Sequence, residues 1–64
     1  MLKIRMLVNG HTQQQYDFEY GQRILESETI KGNLVVDDET RQLVKIHELR
    51  EDGNYTVYPK IVGG

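Results

Sequence analysis

Leu2, Ile4, Met6 and Val8 alternate with Lys3, Arg5 and Leu7, the period-two pattern of a strand with one buried face. Asn9-Gly10 follows at once, and because both residue types tolerate positive φ the pair predicts a type I′ hairpin turn. The returning segment alternates again, with Tyr16, Phe18 and Tyr20 on one face and Asp17 and Glu19 on the other, so the opening reads as a β-hairpin. After Gly21 the composition changes. Ile24, Leu25 and Ile30 are mixed with Arg23, Glu26 and Glu28, which predicts a short helix over 22–31 that Gly32-Asn33 would stop. Its apolar residues spread widely around the helical wheel.

Leu34-Val35-Val36 is a β-branched run bounded by Asp37-Asp38 and reads as a central strand ending in a turn. The stretch 40–49 has two readings: Asp38 would cap a helix carrying Leu43, Ile46 and Leu49, or Leu43-Val44-Lys45-Ile46 forms another strand. The β-branched pair and the turn at Asp52-Gly53-Asn54 favour the strand. Tyr55-Thr56-Val57-Tyr58 is a final strand, and Pro59, with no amide hydrogen to donate, ends the pairing. The expected fold class is therefore α+β, a mixed sheet of four to five strands packed on one short helix. The helix crosses the apolar face, and the first and last strands lie parallel as central neighbours.

Sixty-four residues make one domain with a thin core, too small for an elaborate internal active site. With no cysteine, neither disulfides nor a thiolate zinc site can staple it, and any thiol chemistry must use a partner's sulfur. A net charge of -2, with both signs interspersed, offers no cationic stripe for nucleic acid. The start Met1-Leu2-Lys3-Ile4-Arg5 lacks the apolar run of a secretory signal, and no stretch is long enough for a membrane span, so a cytoplasmic protein away from the membrane is expected. His11 and His47 are too far apart for a local metal motif, and no metal is expected. Asp37, Asp38 and Glu39 read as solvated turn residues rather than a calcium loop. Ser27 is the only serine and has no nucleophile-elbow context, so no enzyme activity is expected.

The sequence closes on Ile61-Val62-Gly63-Gly64. Two glycines carry no side chains to block the terminal carboxylate, and such a segment threads a narrow channel. In element order, and in this ending, the chain resembles the ubiquitin-like β-grasp superfamily. The segment from Leu49 to Gly64 is similar to the closing segment of sulfur carriers of the molybdopterin and thiamin pathways, with Asn54 where those carriers have aspartate. Tyr20-Gly21-Gln22-Arg23-Ile24-Leu25-Glu26 is similar to the helix start of bacterial multiubiquitin-type domains.

The resemblance implies a domain over 1–60 and a flexible tail over 61–64. Gly64 would be the residue activated, Gly63 the slim neighbour, and Val62, Ile61 and Lys60 the recognition stem. It implies an E1-like adenylating enzyme that uses ATP, with no cofactor bound by the chain itself. An E2-like conjugating enzyme, a deubiquitinase-like protease and target proteins follow if the chain is a modifier, and a terminal thiocarboxylate follows if it is a sulfur carrier. A non-conjugated interaction module is a third reading. In each case the free chain is expected to be monomeric. β-Grasp modifiers dock partners through the sheet face away from the helix, which makes Leu7, Val44 and Ile46 the candidate partner surface.

Overall fold

In the computed structural model, which describes residues 1–8, 10 and 12–60, the opening alternation becomes strand β1 (Leu2–Met6), with Leu2 and Ile4 buried and Arg5 exposed. Strand β2 (Gln13–Tyr16) pairs antiparallel with it, from Leu2↔Tyr16 to Arg5↔Gln13. The strands thus part before the Asn9-Gly10 pair, whose turn type lies outside the described residues because Asn9 does.

Phe18 and Tyr20 do not extend the second strand. Helix α1 runs Phe18–Ile30, four residues earlier than the composition predicted. Asp17 is its N-cap, in extended conformation, and its carboxylate accepts from the Tyr20 amide at 2.9 Å. That bond satisfies one of the orphan donors of the first turn, and Glu19 adds favourable charge there. The buried stripe of α1 is Gly21, Leu25 and Glu28, with Phe18 packed at its start, while Ile30 is exposed. A glycine and a glutamate in the stripe explain why hydropathy alone did not reveal it. Gly21 lets the helix lie close on the sheet: a Cβ there would stand 2.8 Å from Leu2 Cδ2.

The predicted stop holds. Gly32 has φ +93, its amide donates to the Thr29 carbonyl and the Asn33 amide to the Glu28 carbonyl, both at 3.0 Å. This is the bonding pattern of a Schellman end, which needs a residue free of the Cβ penalty at positive φ.

Strands β3 (Leu34–Asp37) and β5 (Asn54–Tyr58) form the rest of the sheet interior, and β4 is only Gln42–Leu43. Between β4 and β5 the chain makes a 3-10 turn at Ile46–Glu48 rather than continuing as a strand, with the Glu48 carboxylate accepting from the Lys45 amide at 2.9 Å. The sheet order is β2-β1-β5-β3-β4; β1 and β5 are parallel and the other neighbours antiparallel. The fold is therefore a mixed five-stranded α+β sheet with α1 on one face. The core is Leu2, Ile4, Leu25, Val35, Tyr55 and Val57, and full burial of each such side chain contributes roughly 2 kcal/mol.

Candidate functional site

The residues expected to carry chemistry lie at and beyond the end of β5. Ile61, Val62, Gly63 and Gly64 lie outside the described residues, as does His11. Lys60 is described, and its backbone is held: its amide donates to Asn33 Oδ1 at 3.1 Å. Asn33 Nδ2 donates in turn to Glu28 Oε1 at 2.7 Å, and Lys31 Nζ lies 3.3 Å from Glu28 Oε2. The helix end and the exit of the central strand are thus joined through one asparagine side chain, which sequence reasoning treated only as part of a helix stop.

The sheet face away from α1 carries the second feature. Cross-strand pairing sets Arg5, Thr56, Val36 and Leu43 side by side over four strands. Leu7 extends the row beyond β1, its amide donating to the Val57 carbonyl at 3.0 Å. A shallow concavity of about 510 Å³ opens there, lined by Leu7, Val36 and Tyr58 with Arg5, Arg41 and Asp38 at its polar edge. Thr56 is buried beneath it and donates to Asp38 Oδ1 at 2.7 Å. The expected trio is divided by the structure: Val44 and Ile46 pack against the core on the helix side. Alternation explains it, since Leu43 points outward and is 62% exposed, so Val44 points in. Val36 and Tyr58 replace them beside Leu7. Three consecutive apolar residues at 34–36 gave no way to tell which of them faces out.

The acidic cluster is not uniformly solvated. Asp38 and Glu39 are exposed, but Asp37 is buried, accepting from the Glu39 amide at 2.8 Å and from Arg50 Nη2 at 2.8 Å. Arg50 also reaches Glu39 Oε2 at 3.1 Å, tying the β3–β4 turn to the segment that leads into β5. Burial opposes the charge on Asp37, yet the Glu39 amide and Arg50 together outweigh it and hold the carboxyl below its ordinary value. The two carboxylates in turn raise the Arg50 guanidinium further above its own. A carboxyl depressed on folding contributes stability above its unfolded value near pH 4 and loses it as pH falls through the folded value. Asp37→Asn should therefore cost about 2 kcal/mol at neutral pH and flatten the acid limb below about pH 4, as measured by urea unfolding across pH; an unchanged acid limb would remove Asp37 from that role.

His47 is exposed on the 3-10 turn, and among the described residues no three histidine or acidic side chains converge as a metal site requires. No helix of the described residues is long and apolar enough to cross a membrane. No family model, curated protein or solved structure matches the chain at a significant level.

Proposed function

We propose that the chain is a ubiquitin-like protein modifier of the β-grasp type, a carried substrate of an ATP-dependent activating enzyme. One observation carries the reading: the final strand is the middle strand of the sheet, parallel to the first, and its exit is pinned at Lys60, with Ile61-Val62-Gly63-Gly64 to follow. The strand order and the single helix on one face are compatible with a β-grasp.

A free carboxylate is a poor acyl donor, so activation comes first. A Gly64 carboxylate oxygen attacks the α-phosphorus of ATP, pyrophosphate leaves, and an acyl-adenylate forms. An enzyme thiolate then attacks the carbonyl carbon and AMP departs, giving a thioester. A target amine, commonly of a lysine, displaces the thiol to form an isopeptide bond. Gly63 keeps the segment slim enough for the enzyme's channel, and Val62, Ile61 and Lys60 serve as its stem. The partner surface under this reading is the outer sheet face with Leu7, Val36 and Tyr58.

A sulfur carrier shares the first step and then accepts sulfur as a thiocarboxylate; the likeness of the segment from Leu49 to Gly64 to those carriers keeps this second reading. Intact mass spectrometry of the protein isolated from its own source separates them. The modifier reading expects an unmodified Gly64 carboxylate, and tryptic digests of other proteins should carry Ile-Val-Gly-Gly remnants on lysines, because cleavage falls after Lys60. A mass gain equal to one oxygen exchanged for sulfur would establish the carrier instead, and neither species would leave an interaction module with an idle diglycine.

A further inference from the structure

We infer that Asn33, oriented by Glu28, is a positioning residue for the segment that follows Lys60, fixing the point from which that segment leaves the sheet. The inference rests on the proposed activation of Gly64 for its functional meaning, but its geometry stands apart from it. Glu28 is the one charged residue in the buried stripe of α1, with 5% exposure, and a buried carboxylate needs hydrogen-bond donors around it. It receives them from Asn33 Nδ2 and Lys31 Nζ.

An ionised carboxylate only accepts, so it dictates which way the Asn33 amide faces. The NH2 group must point at Glu28, and the carbonyl oxygen is thereby presented to the Lys60 amide. The Asn33 backbone is fixed as well, by its own amide donating to the Glu28 carbonyl in the Schellman end. The Lys60 stem also runs against Gly32, where an added Cβ would meet Lys60 Cδ at 3.2 Å. Pro59 offers no donor of its own, so Lys60 is the first residue after β5 whose amide can be anchored, and this bond anchors it. Under the activation reading, the anchor fixes the root of the stem at Lys60, so that residue does not have to be ordered when the enzyme binds.

The bond polarity supplies the test. Asn33→Asp sets two carboxylates face to face and drives them apart, and Glu28→Gln replaces an acceptor-only group with one that also donates, so the Asn33 amide is no longer held to one orientation; each single change should speed hydrogen exchange at the Lys60 amide by about tenfold. Combining the two changes reverses the donor and acceptor of the pair. The carboxamide introduced on the helix would donate to the carboxylate introduced after it, whose other oxygen still accepts from the Lys60 amide. Protection at Lys60 should return to the wild-type rate, even where the single variants are destabilised. An unprotected Lys60 amide in the wild type, or a double variant no better than the singles, would overturn the anchor.

For the positioning role, ATP–pyrophosphate exchange with the activating enzyme of the same source should show a raised KM for Asn33→Asp, an unchanged kcat, and a restored KM in the double variant. A KM that stays constant while Lys60 protection is lost would overturn that role. A wild-type chain that supports no exchange at all would instead defeat the activation reading, and the Lys60 amide rates would still decide the anchor.

Discussion

Removing Gly63 and Gly64 should reduce ATP–pyrophosphate exchange to the rate seen without the chain, while thermal unfolding of the domain stays where it was. The effect is expected to be complete because the proposed nucleophile of the adenylation step is the Gly64 carboxylate itself. A truncated chain would present the Val62 carboxylate, which carries a β-branched side chain at the reacting residue and is two residues too short for the same reach. Retained exchange would move the reactive end elsewhere and sink the modifier and carrier readings together. Leu7→Glu is the companion change: it places a charge in the concavity of the outer sheet face, and affinity for the activating enzyme should fall by about tenfold, near 1.4 kcal/mol. Unchanged affinity would show that this enzyme docks elsewhere.

Gly53→Ala should cost about 2 kcal/mol and lower the melting temperature by roughly 8–16 °C for a domain of this size. Gly53 is buried, and a Cβ there would lie 2.5 Å from Tyr55 Cε2 and Oη. The ring cannot step aside. It is fully buried in the core, and its hydroxyl accepts from the Arg50 amide at 2.8 Å. The Gly53 carbonyl also accepts from the Lys3 amide at 3.0 Å, so its backbone is held by β1. The added methyl must therefore displace either the largest core side chain or the start of the parallel β1–β5 ladder. A melting temperature within a degree or two of the wild type would mean that the loop before β5 yields, contrary to this account. Differential scanning calorimetry of the two proteins decides it.

The parts of the fold legible in the sequence were those where local pattern and tertiary role agree. Leu2 and Ile4 alternate with charged residues because β1 buries one face, and Leu34 to Asp37 is a β-branched strand where one was expected. Gly32 ended the helix for the reason its residue type implies.

The misreadings share a cause. Tyr16-Asp17-Phe18-Glu19-Tyr20 alternates like a strand, but Asp17 acts as a cap and its bond to the Tyr20 amide turns the alternation into the first turn of α1. Val44-Lys45-Ile46 has strand propensity, yet Val44 and Ile46 are needed as a lid on the core, and the chain takes a 3-10 turn to bring them there. Asp37 belongs to an acidic run that looked solvated, and its burial depends on Arg50, thirteen positions away. Asn33 has no one-dimensional signature, because its partners come from a helix and from the far end of the chain.

The parallel pairing of β1 with β5 sets a condition on synthesis. Until Asn54–Tyr58 is available, the β1–β2 pair and the β3–β4 pair have no strand between them, Leu25 has only part of its cover, and Arg50 has no Tyr55 hydroxyl for its amide. A chain that stops short of Asn54 lacks the strand that joins these two pairs, and an isolated pair of strands is marginally stable at best. The sheet therefore closes only once the strand that leads directly into Lys60 and the segment 61–64 has been made.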